Sequence, residues 1–169
     1  MKVSRLISSL KLLNALFIAP PKEWLLPKKS EVLIYDASGA ELLAPYLTKY
    51  RVVIMAVRGE AINVPCLLRA VVSLKFWKGK PLQAYAEAFI LAVSPKVVIT
   101  FIDNNLNFYL ISKRFPDVKT ILIQNGIRSE EGDFFGRLVK SENYHVDHML
   151  VFGAAIGKKY KSITTGSML

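Results

Sequence analysis

Two short stretches constrain what this chain can fold into, Val97–Asn105 (VVITFIDNN) and Thr120–Arg128 (TILIQNGIR). Each begins as an apolar, β-branched run and stops abruptly at polar, turn-forming residues. An apolar run without polar alternation suits a strand covered on both faces, as in a parallel sheet packed between helices. In such sheets the ligand crevice lies outside the carboxyl ends of the strands. Here those ends carry Asp103, Asn104, Asn105, Gln124, Asn125, Gly126 and Arg128. Buried strands ending in concentrated polar chemistry are the strongest functional signal in the chain.

Size and charge narrow the class. At 169 residues the chain can form one α/β domain with a sizeable core but not two full ones. With 52% hydrophobic and 21% charged residues, it is not a disordered chain. Its 23 Lys and Arg against 13 Asp and Glu give a net charge of +10, which favours anionic partners. The aromatic residues fall mostly in predicted strands and on apolar helix faces. No interleaved stacking platform emerges, and no nucleic-acid partner is expected. The single cysteine, Cys66, excludes an internal disulfide framework, fits a reducing cytoplasm and reads as a small buried hydrophobe. His145 and His148 are spaced to fall on opposite faces of a strand. No metal site and no cofactor are expected.

Residues 1–30 read as an amphipathic basic helix followed by a connector rich in Pro and Lys. Val3, Leu6, Ile7, Leu10, Leu13 and Phe17 recur at helical spacing, with Lys2, Arg5 and Lys11 elsewhere. The start is similar to a signal peptide, but Lys11 and Asn14 break its apolar middle, and Pro20-Pro21 lacks a small-residue cleavage site. No stretch reaches the ~18–20 apolar residues of a spanning helix. The helix either packs on protein or makes peripheral membrane contact through residues 2–17.

Residues 31–169 read as a Rossmann-like α/β domain. Glu31–Asp36 is a strand, and Ser38-Gly39 turns it into a helix over residues 40–49, a plausible anion-binding turn because free N–H groups point out of a first helical turn. Asp36 either caps that helix or touches a ligand hydroxyl. The strand Arg51–Val57 runs into Arg58, Glu60 and Asn63, which form either a surface pair with a helix cap or part of a binding edge. Helices are predicted over 64–77, 81–93, 106–114 and 154–160, with a loop opening a helix near Asp133. Strands are predicted over 96–102, 119–123 and 146–152, and a further strand begins in 163–168. This order describes an open, doubly wound, mainly parallel sheet with helices on both faces. GxGxxG and GKS or GKT are absent, so a standard dinucleotide or P-loop site is not expected.

With these residues laid out, the chain resembles the transferases of bacterial surface-carbohydrate biosynthesis. These are similar to GT-B-type glycosyltransferases and, more distantly, to glycerophosphate-type polymer transferases. The resemblance rests on W-x-x-P-K-K-S at Trp24–Ser30, VLIYD at Val32–Asp36 and RGE-x-x-N at Arg58–Asn63. It continues through VVITFIDNN, IQNG-x-R at Ile123–Arg128, GDFF at Gly132–Phe135 and VDHMLVFG at Val146–Gly153, nearly the whole chain in order.

The resemblance implies the N-terminal half of a GT-B architecture, contributing the acceptor side of a nucleotide-sugar-dependent glycosyltransferase. The implied partners are a nucleotide-sugar donor and a glycan acceptor. The donor site is expected on a second domain or partner chain that this sequence lacks, so a fragment, a truncated homologue or one piece of a split enzyme, inactive alone, is expected. The implied location is cytoplasmic, peripheral at the inner face of the membrane. Asp103 would take the proton of the acceptor hydroxyl. Arg128 and Arg58 would bind phosphate or a sugar carboxylate through their planar forks. Glu60, Asn63, Asn104, Asn105, Gln124 and Asn125 would complete the substrate edge, and Gly126 would admit a close backbone approach. Two rival readings remain. One is half of a GT-B-like nucleotide-sugar epimerase, and the other is a non-catalytic module binding an anionic glycan, a nucleotide or a partner protein.

Overall fold

The computed structural model describes residues 21–57, 60–126 and 144–169. Six parallel strands form one sheet in the order β3-β2-β5-β6-β7-β8. They are β2 (Val32–Tyr35), β3 (Val52–Met55), β5 (Val97–Thr100), β6 (Lys119–Ile123), β7 (His145–Leu150) and β8 (Thr165–Met168). Val32 stands between Val52 and Val97, and Ile121 pairs with His148, so the apolar runs lie side by side in register. The expected Rossmann-like, doubly wound α/β fold is the one observed. A second, two-stranded sheet went unpredicted: β1 (Lys22–Glu23) pairs in parallel with β4 (Ile62–Asn63).

Strand alternation divides the sheet into two faces. Leu33, Tyr35, Val98, Leu122 and Met149 point to one face and join a large core. That core is roofed by α2 (Val64–Val72), α3 (Leu74–Trp77), α4 (Pro81–Val93), α5 (Ile111–Arg114) and α6 (Ala154–Ile163). Val32, Ile34 and Ile99 point the other way and pack under α1 (Ala40–Leu43) in a smaller cluster. The chain runs from β2 to β3 on one side, then returns to place β5 on β2's other side. The topological switch therefore lies between the carboxyl ends of β2 and β5.

Several helices are shorter than predicted. The helix expected over 40–49 gives way after Leu43 to a 3-10 turn, Ala44–Tyr46, because Pro45 has no N–H to continue the α ladder. The helix expected over 64–77 breaks at Ser73, whose backbone is extended (ψ 133°) and whose Oγ accepts the Lys75 N–H as the cap of α3. The predicted 106–114 helix is a 3-10 turn, Phe108–Leu110, running into α5. α4 spans the predicted residues 81–93, opening on Pro81 and closing where Ser94 turns left-handed (φ 51°). The helix read in residues 1–20 and the one expected near Asp133 lie outside the described residues.

Candidate functional site

The carboxyl ends of β2, β5 and β6 are neighbours along one edge of the sheet. Thr100 Oγ1 donates to the Tyr35 carbonyl at 2.8 Å and ties the first two together at the switch. Asp36 follows β2 with φ at +83°, a conformation non-glycine residues seldom adopt. It is 1% exposed, and its Oδ1 accepts the Ser38 N–H at 3.0 Å, which holds the turn. Gly39 (φ +78°) lies against Phe101 so closely that a Cβ there would stand 2.9 Å from the ring. The Ser38-Gly39 turn is thus packed on the segment that leaves β5. α1 supplies one helical turn where three were expected, so the turn's own geometry, more than a helix dipole, shapes this corner.

Asp103 is fully buried. Tyr160, from α6, donates to its Oδ2 at 2.9 Å, and Tyr109 donates to its carbonyl at 2.6 Å. Asn104 is exposed. Asn105 accepts the Asn107 N–H through its Oδ1 at 3.1 Å and hydrogen-bonds the Tyr35 phenol. Burial above all, with the Asp36 charge second, pushes that phenol well above its ordinary value, so Tyr35 stays neutral. Gln124 is buried with both ends of its amide engaged: Nε2 donates to the Gly126 carbonyl at 2.7 Å, and Oε1 accepts the Phe152 N–H at 2.9 Å. Asn125 is exposed, and a Cβ on Gly126 would meet nothing within 4 Å. The edge therefore presents Asn104 and Asn125 outward from a rim held rigid by Asp103, Asn105 and Gln124.

Asn63 is bonded to other partners. It is buried as the N-cap of α2, accepting the Cys66 N–H at 3.1 Å. Its amide donates to the Leu25 carbonyl at 2.7 Å and to Glu23 at 3.3 Å, and its own N–H donates to the Tyr85 hydroxyl at 3.0 Å. These bonds match the capping reading of this residue. Glu60 is exposed, and Arg58 and Arg128 lie outside the described residues. Burial pushes the Cys66 thiol up to about 11 against the pull of Arg69, which keeps it protonated and unreactive.

A second carboxylate cluster sits at the opposite edge of the sheet. Asp147 Oδ2 accepts the Thr120 N–H and the Thr120 hydroxyl, each at 2.9 Å, and Oδ1 accepts Lys119 Nζ at 2.9 Å. Burial opposes its ionisation, but the donors from Lys119 and Thr120 outweigh burial and hold the carboxyl at about 2. Ser112 and His145 are close by, yet Ser112 Oγ meets Thr120, Asp147 and the His145 carbonyl and not the imidazole. His145 Nδ1 is paired with Thr165 Oγ1 at 2.7 Å. The cluster has the residue types of a nucleophilic triad without its wiring. A cavity of about 530 Å³ at this same edge, lined by Leu91, Lys96, Phe115 and Asp117 among others, gathers no converging catalytic groups. Among the described residues no three His, Cys, Asp or Glu side chains are placed to hold a metal.

The sequence reading missed Tyr160, Tyr109 and Thr100 as parts of the rim. Tyr160 lies 57 residues beyond Asp103, so no local spacing joins them.

Residues 121–169 match the model of a family described as "putative O-antigen biosynthesis protein". The matched segment holds β6 from Ile121 onward, Gln124–Gly126, β7, α6 with Tyr160, and β8. No curated protein matches the chain, and no solved structure does.

Proposed function

We propose that this chain is the acceptor-side, Rossmann-like half of a nucleotide-sugar-dependent glycosyltransferase acting in surface-carbohydrate synthesis at the inner face of the membrane. One observation carries the reading: Asp103, Asn104, Asn105, Gln124 and Asn125 fall on a single carboxyl edge beside the β2/β5 switch, where folds of this class take their ligands. The O-antigen association of residues 121–169 supports the carbohydrate context, because that segment supplies Gln124 and Asn125. In this reading Asn104 and Asn125 hydrogen-bond sugar hydroxyls, and Arg128 and Arg58 bind phosphate or a sugar carboxylate. Asp103 accepts the proton of the acceptor hydroxyl, with Tyr160 fixing the carboxylate through Oδ2. Because Asp103 is buried, the acceptor reaches it only when its cover opens. The donor occupies a second domain or partner chain.

Asp103→Asn tests this in the protein combined with its donor-binding half. The amide oxygen still accepts the Tyr160 hydroxyl, so the fold is retained, as circular dichroism would show. Sugar transfer should fall on the order of 10²–10⁴-fold, the usual contribution of a positioned base. A wild-type rate would remove Asp103 from catalysis.

A further inference from the structure

α2 is apolar on two arcs. Cys66, Leu67 and Ala70 face the core, while Leu68 and Val72, one turn apart on the outer arc, stand in solvent, Val72 with 84% of its surface exposed. Arg69 is exposed beside Leu68, and an exposed apolar patch rimmed by polar residues marks a contact surface. The exposed apolar surface continues at both ends of the helix. At its start, Asn63 donates to the Leu25 carbonyl and clamps the segment Trp24–Leu26 over the first turn, with Leu25 83% and Trp24 70% exposed. At its end, Leu74 is exposed, and Trp77 Nε1 donates to the Val71 carbonyl at 2.7 Å, folding α3 back across the helix. Both tryptophans of the chain thus border this helix, Trp24 near its start and Trp77 near its end.

Its rim is cationic. Lys28, Lys29, Arg69, Lys78 and Lys80 are exposed in residues 24–30 and 61–82, against two exposed acids at the borders of these segments, Glu60 and Glu23, of which Glu23 accepts the Asn63 amide. Charge decides between the candidate covers. Lys is depleted in the cores of protein–protein interfaces, and a second copy of this chain would set like charges against each other. An anionic bilayer suits both parts: Leu, Val and Trp enter the headgroup boundary while Lys and Arg stems reach up to lipid phosphates. Among the described residues no helix is long and apolar enough to cross a membrane, so the contact is one of surface seating. We propose that the α2–α3 face, with Trp24–Leu26, docks this protein onto an anionic lipid surface. None of these residues belongs to the carboxyl rim or to the stretch 2–17.

The test is co-sedimentation of the full chain with phosphatidylcholine vesicles, with and without phosphatidylglycerol, read alongside tryptophan fluorescence. Binding to the anionic vesicles with a blue shift, weakening as salt rises, is expected. The double variant Leu68→Asp/Val72→Asp should bind at least tenfold more weakly, whereas Leu42→Asp, on α1 at the other face of the sheet, should bind as wild type. Three results would overturn the proposal: no preference for anionic vesicles; undiminished binding by the double variant, which would move the contact elsewhere; or a lipid-free dimer that the double variant dissociates, which would give the face to a second copy.

Discussion

Two aspartates, Asp103 and Asp147, sit at opposite edges of the same sheet and are held in different ways. Asp147, on β7 at the amino edge of the sheet, takes a lysine, a backbone N–H and a hydroxyl from β6, the strand beside it. Those bonds stitch β6 to β7 where the β7–β8 register slips between His145 and His148. Asp103, at the carboxyl edge, is held by phenols from the segment after β5 and from α6, so it joins distant parts of the chain at the rim. A carboxylate gripped by its neighbouring strand serves pairing. One gripped by a phenol from a distant helix, while a second phenol holds its main-chain carbonyl, positions an edge. Residue type alone does not distinguish them.

The contrast can be broken by experiment. Asp147→Ala should have the largest effect, because it strands the buried Thr120 N–H, while Lys119, largely exposed, returns to water; a loss of about 3 kcal/mol in urea unfolding is expected. Acid comes next. With the folded carboxyl at about 2 and an ordinary value of 3.8, Asp147 contributes its full stabilisation above about pH 4 and loses it as pH falls through 2. Roughly 2 kcal/mol should disappear over that window, and Asp147→Asn should flatten this part of the curve. The smallest change is expected from Tyr160→Phe, about 1.5 kcal/mol, the low end for one hydrogen bond to a carboxylate. If Tyr160→Phe matched Asp147→Ala in unfolding, the rim would be as much a folding device as the β6–β7 clip, and the distinction would collapse.

Much of this fold was legible in the residues. Val32–Tyr35, Val97–Thr100 and Lys119–Ile123 announce buried parallel strands through uninterrupted apolar runs, and Pro81 and Ser94 bound α4 as their backbone preferences require. What failed was local. Pro45 ended a helix whose apolar spacing continued past it, and Ser73, unremarkable as a helix residue, became a cap once tertiary packing bent the chain. The β1–β4 pair, two residues each, is too short to carry a periodic signal. The carboxyl edge was legible as a place because strand ends locate it. Its wiring was not: the Tyr160–Asp103 and Phe152–Gln124 bonds join residues 57 and 28 apart, distances that only the folded chain closes.

Asp36 carries one further consequence. Its left-handed backbone is disfavoured for any side chain with a Cβ, and the bond from Ser38 N–H to its own carboxylate helps hold it there. The corner at the switch point is therefore frozen as the chain folds. A guest arriving at that corner would find its shape already set, and the entropic penalty of ordering it would fall on the fold instead of on binding.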